Sequence, residues 1–220
     1  MYTAPNLAHS FRTAITLFSS RVWTRLLIVS ILSSVSFGLL LATLSWTILE
    51  ETGSIILTSC VMAGMMIAQV PAGLLTGSLV YRLGAKRVIS WGLFLFSGIL
   101  FLIALILALD SLDLGLAWVV ILLNAIGCLL IGITGTANRS FGSLIVPEHL
   151  APSSVVVFDI GVSFSFAMSP FVVGVGLNLL PAWLLLAVTA FVAISATVIW
   201  VVSGSGNPIG DIKYAGKTEF

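Results

Sequence analysis

The 220-residue chain reads as an all-α polytopic membrane protein with six transmembrane helices. Three observations predict this class. Hydrophobic residues make up 59% of the chain and charged residues only 8%, with a mean hydropathy of +1.20, more apolar surface than one soluble core of this size can bury. The apolar residues fall into six runs, 26–49, 55–81, 88–109, 114–135, 155–180 and 182–202, each near the roughly 20 residues that span a bilayer as helix. Gly, Ser and Ala are scattered through these runs without the alternation of a barrel strand.

The segment 1–25 precedes the first span. Leu7, Phe11, Ile15, Phe18 and Val22 recur at steps of four and three, with His9, Arg12, Thr16 and Arg21 on other faces. This pattern predicts a short amphipathic helix lying on the membrane surface. The leading polar segment is too long for a cleaved signal, and no small-residue cleavage site follows the first apolar run. Residues 26–202 form the transmembrane domain, and 203–220 a polar tail whose Ser203-Gly-Ser-Gly-Asn-Pro run reads as a flexible linker.

Charge orients the bundle. Arg12, Arg21 and Arg25 precede span one, Arg82, Lys86 and Arg87 follow span two, Arg139 follows span four, and Lys213 and Lys217 follow span six. All nine cations therefore lie on one side of a six-span topology. Glu50, Glu51, Asp110 and Asp113 lie on the other. Basic residues near span ends are retained in the cytoplasm, so both termini are expected there, with a bacterial plasma (inner) membrane as the location. The net charge of +1 conceals this asymmetry and gives no reason to expect nucleic acid as a partner.

Enzyme chemistry is not expected. Cys60 and Cys128 are isolated within spans, and His9 and His149 lie outside them. No nucleophile–base pair or metal-ligand set can converge at membrane depth from such a distribution, and no cofactor or metal is expected.

Small residues predict where helices approach closely, since backbone contact at such positions drives association in lipid. Span two carries Gly73-x-x-x-Gly77 after Pro71; span five carries Pro170, Gly174 and Gly176. Pro71 and Pro170 each precede a glycine by six residues, in spans of opposite direction. This suggests two inverted three-helix repeats, as in many transporter halves. Spans three and six, aliphatic and aromatic nearly throughout, are expected to face lipid.

The stretch Val70-Pro-Ala-Gly-Leu-Leu-Thr-Gly-Ser-Leu-Val-Tyr-Arg-Leu-Gly-Ala-Lys-Arg-Val88 resembles the helix-two to helix-three signature of the major facilitator superfamily. Gly77, Leu79, Arg82, Gly84, Lys86 and Arg87 match it; Tyr81 replaces its usual Asp and Ala85 an often basic position. Residues 137–150 are similar to the loop after helix four in the drug-, macrolide- and siderophore-exporter branch, and Ser169-Pro170 resembles the Gly-Pro antiporter motif of helix five. The resemblance implies a major-facilitator-like half bundle in a secondary active transporter of the efflux type, working by alternating access. Its conformational switch would be Gly77, Tyr81, Arg82, Gly84, Lys86 and Arg87, the bland alternative being that these cations only set topology.

Within that frame, Asp159 is the one ionisable side chain inside a predicted span, and an intramembrane carboxylate is a functional candidate. It is expected to pair with Arg139 or Arg82 in a gate, to be a solvated helix-end acid, or to couple a proton. Ser34, Asn124 and Thr134 are expected on the cavity-lining spans one and four, with an interhelical hydrogen bond an equal reading for Asn124. The family's common helix-four arginine has no counterpart, Leu123 standing near its place. The implied substrate is a small hydrophobic or weakly polar compound.

The superfamily has twelve spans and this chain six. Three accounts stay open: a fragment of a full transporter, a half that pairs with a second six-helix half from the same gene or as a homodimer, or a non-transporting remnant with an assembly or regulatory role. The bilayer is a partner in all three.

Overall fold

Residues 20–109 and 113–202 are described in a computed structural model of the chain. The described residues form six α-helices, α1 Arg21–Thr52, α2 Ile55–Leu83, α3 Ala85–Leu109, α4 Leu114–Ile145, α5 Ala151–Leu179 and α6 Ala182–Val202, and a 3-10 turn at Glu148–Leu150. Each α-helix is long and apolar enough to cross a membrane, and the described residues contain no strand. The chain is an integral membrane protein. The amphipathic helix expected before span one and the tail after residue 202 fall outside the described residues, except that residues 21–25 belong to α1 itself.

Local chemistry sets the boundaries. Ser20, Ser54 and Asp113 cap α1, α2 and α4 by accepting from the backbone N–H of Trp23, Leu57 and Leu116. Gly53 and Gly84 close α1 and α2 at φ of 63° and 83°, a region glycine enters without steric cost. Pro147 ends α4, holding Val146 extended.

Two helix ends differ from the sequence expectation. The basic loop after span two shrinks to Gly84 alone: Gly77, Tyr81 and Arg82 are in α2, and Lys86 and Arg87 in the first turn of α3. Span four, expected to stop at residue 135, continues as helix to Ile145, because polarity ends a hydropathy run but only a breaker ends a helix. At 32 residues, α4 is about 48 Å long against a hydrocarbon core of roughly 30 Å. Arg139 is thus a helical residue, and Asp159 stands eight residues into α5, about 12 Å from its start.

The core forms in two layers. At the acidic end, Leu40, Leu44, Phe96, Leu100, Val120 and Leu186 interlock; at the basic end, Trp23, Leu26, Ile89, Leu93, Ala137 and Trp200 do so. Phe141 and Trp200 meet edge to face at 5.9 Å, and the indole of Trp200 donates to Lys86 O at 3.3 Å. Helices α3 and α6, expected to face lipid, lay one face into the core and leave large apolar side chains such as Trp91, Phe94, Phe101 and Phe191 exposed on the other. The helices left most open are α2 and α5.

Neighbour relations are regular. The largest interfaces are α1 with α5, α2 with α4, α3 with α6, α3 with α4, and α1 with α6. Exchanging each helix for the one three places along leaves this set unchanged. Burial follows the same rule. The buried residues of α2 are Leu57, Val61, Ala68, Ala72 and Thr76, at intervals of four, seven, four and four; those of α5, Ser154, Phe158, Ser165, Ser169 and Val173, repeat these intervals. Apart from the additional buried Val29, Trp23, Leu26, Leu27, Ser30 and Ser33 of α1 are spaced like Ala117, Val120, Ile121, Asn124 and Gly127 of α4.

The close crossings sit at related positions. A Cβ on Gly132 of α4 would lie 2.8 Å from the Ala72 Cβ of α2, and one on Gly38 of α1 would lie 2.6 Å from the Ser169 Cβ of α5. Ala72 and Ser169 hold the same rank in their series. By contrast the predicted packing residues Pro71, Gly73, Pro170 and Gly174 are exposed, and a Cβ on Gly73, Gly77 or Gly174 would meet nothing. The packed stripe of α2 runs through Ala68, Ala72 and Thr76, and residues one position on are turned about 100° away. In this register Gly77 corresponds to Gly174, so the matched Pro–Gly spacing to Gly176 is not the structural correspondence.

Candidate functional site

The sequence places its hydroxyls and amides at the basic half of α1 and α4, and packing gathers them around one cavity. Its volume is about 200 Å³, with Ser30, Ser33 and Ser34 from α1, Gln69 from α2, Thr136, Asn138 and Arg139 from α4, and Phe158 from α5 in its wall. Phe37, Ile131 and Val162 supply apolar surface.

Much of this polarity is already engaged. Ser33 and Thr136 donate to Ser30 O and Gly132 O within their own helices. Asn138 Nδ2 donates to Ser30 Oγ at 3.0 Å, tying α4 to α1. Asn138 is 1% exposed, and its Oδ1 has no hydrogen-bond partner, which is costly for a buried carbonyl. Ser34 is half-buried and Gln69 exposed.

The one ion pair among the described residues joins this wall to α5: Arg139 Nη2 lies 3.0 Å from Asp159 Oδ1. The contact is an ion pair rather than an aligned hydrogen bond. The side chains are 53% and 46% exposed, so the attraction is worth at most about 1 kcal/mol to the fold. Its larger consequence is electrostatic, since Asp159 balances the only charge in the cavity wall. Arg82 makes no ion pair with Asp159.

The other predicted site residues separate. Ser34 lines the cavity. Asn124 and Thr134 do not, and that expectation is corrected: both are fully buried in helix contacts. Asn124 Nδ2 donates to Val61 O of α2 at 3.3 Å, and its Oδ1 accepts from the Cys128 thiol at 3.8 Å. Thr134 donates to Leu130 O and packs directly on Gly92 of α3. Asn124→Leu is therefore expected to lower stability by only about 0.6 kcal/mol, the average for such bonds in lipid, and to leave solute binding unchanged. A denaturation series in detergent measures the first and a binding isotherm the second. The Arg82, Lys86 and Arg87 group stands at the basic end around Gly84, with Tyr81 92% exposed.

Gln69 and Asn138 are not singled out by the sequence reading. Gln69 is the only glutamine in the chain and stands within an apolar run, which was a legible signal. Asn138 lay beyond the expected end of span four. No three His, Cys, Asp or Glu side chains converge among the described residues.

Compared with family models, characterised proteins and solved structures, the chain matches none. The function must therefore be argued from the cavity, the ion pair and the helix arrangement.

Proposed function

We propose that the chain is a secondary active transporter of the efflux type, or the N-terminal half of one, moving a small hydrophobic or weakly polar compound by alternating access. The observation that carries this reading is the repeated burial series of α2 and α5. With three crossings between counterparts, α1–α3 and α4–α6 run in opposite senses, so equal packing in both supports an inverted repeat, the construction that lets one scaffold adopt two mirrored openings. The polar cavity between α1, α2, α4 and α5 is the place for the solute.

The gate in this reading is Arg139–Asp159. Opening the α4–α5 contact separates two half-exposed charges, an affordable step because water screens them at that depth. The cations around Gly84 fit a switch that engages helix ends or carboxylates of a second six-helix half, and similarity to the major facilitator superfamily motif supports that role. The side bearing Arg21, Arg25, Arg82, Lys86 and Arg87 is assigned to the cytoplasm.

An exposed ion pair and Gln69 are poorly served by lipid, and the open face of α2 and α5 carries Gly73, Gly77 and Gly174. A second six-helix half, from the same gene or a second copy, is the proposed cover.

The test is flux. Vesicles containing the protein and loaded with small radiolabelled weakly polar solutes are expected to release them faster than empty vesicles under an imposed proton gradient, with Asp159→Asn slowed at least tenfold. Release equal to that of empty vesicles rejects the reading, and a wild-type rate in Asp159→Asn removes the gate.

A further inference from the structure

The cavity wall also restricts what can occupy it. We propose that Asn138, together with Ser34 and Gln69, makes this cavity a site for a small uncharged solute carrying hydroxyl or amide groups, with Asn138 Oδ1 accepting the hydrogen bond that determines specificity.

The bond inventory leads there. Ser33 and Thr136 spend their protons on their own helices, and the Asn138 amide N–H is held by Ser30. What remains for a ligand among the uncharged groups is the Ser34 hydroxyl, the Gln69 amide, the Ser30 O–H, the second N–H of Asn138 and the Asn138 carbonyl. The last is the demanding one, because it is buried at the cavity wall with no partner. An acceptor in that state selects a ligand that donates, and a site whose buried polar group is left unpaired discriminates strongly against analogues lacking the donor.

Charge points the same way. The only charged group in the wall, Arg139, is balanced by Asp159 at 3.0 Å. A cation would face the guanidinium. An anion would have to compete with Asp159 for the guanidinium it already faces at 3.0 Å. An uncharged ligand disturbs neither. Size sets the upper limit, since about 200 Å³ is below the roughly 300–1,000 Å³ of pockets that hold drug-sized molecules. Phe37, Phe158 and Val162 accept the carbon skeleton of a short polyol or amide.

The inference rests on the transporter reading for making this cavity the substrate's place, but it is tested by binding alone. Saturation-transfer NMR on the full chain in nanodiscs, with erythritol and propionamide as uncharged probes and succinate and putrescine as charged ones, reads it directly. Transfer is expected to the uncharged probes only, with affinity about fivefold lower in Asn138→Leu, the value of one hydrogen bond near 1 kcal/mol. Ser34→Ala and Gln69→Leu, at more accessible positions, are expected to weaken binding similarly, and they keep the test valid should Asn138→Leu not fold. Equal transfer to a charged probe, no transfer to either uncharged probe, or unchanged binding in all three variants overturns the proposal. Binding without flux in vesicles would defeat the transporter reading and leave this site standing; flux without binding of the uncharged probes would do the reverse.

Discussion

Gly38→Val and Gly132→Val are expected each to lose about 1–3 kcal/mol of stability, the range for overpacking a tight contact. The new Cβ would stand 2.6 Å from the Ser169 Cβ in one case and 2.8 Å from the Ala72 Cβ in the other. Both neighbours are anchored on helix backbone, so no rotamer change relieves the clash and the helices must part. Valine is the informative substitution, since alanine would regain nearly 1 kcal/mol through helix propensity and blur the sign. Between lipid-embedded helices the lost contact is van der Waals packing, so nothing compensates for the separation. Ala72→Gly is expected to recover part of the loss in Gly132→Val, because it removes the other Cβ. Unfolding in mixed micelles measures all of these, and near-equal losses at Gly38 and Gly132 are the mark of equivalent crossings.

The second large effect concerns glycines that touch nothing. Gly77→Leu and Gly174→Leu are expected to leave the six-helix unit's stability within about 0.5 kcal/mol, as for surface changes generally, since a Cβ at either position meets open space. Flux is expected to fall at least tenfold in each, because the same open face is where a second half approaches in the proposed assembly. Vesicle release and micelle unfolding, measured on the same samples, separate the two effects. A loss of stability without a partner present would mean that these positions pack within the chain.

The sequence showed the number of helices and their capping signals clearly, because hydropathy and breakers are local properties. Their ends were less legible. Hydropathy ends span four at residue 135 because Thr136, Asn138 and Arg139 are polar, yet the backbone there has no reason to leave the helix before Pro147. That single error hid Asn138 and moved Arg139 out of the helix. Small residues proved a poor guide to which face packs: Gly73 and Gly174 looked like contact points, while Ala72 and Ser169, their near neighbours in sequence, are the residues in contact. Helix phase depends on the partner helix, which local sequence does not specify. Asn124 illustrates the same limit, since its amide meets a carbonyl 63 residues away rather than the cavity. Ser34 lines the cavity, and Asp159 meets Arg139, one of the two partners expected for it.

Two-sided access at the cavity is the most direct measure of the central claim. With Cys60→Ser and Cys128→Ala as background, Ser34→Cys in oriented vesicles is treated with a membrane-impermeant maleimide from each face in turn. Alternating access predicts labelling from both faces, with reaction from one side blocking reaction from the other. Labelling from the basic face alone, or from neither, would contradict it.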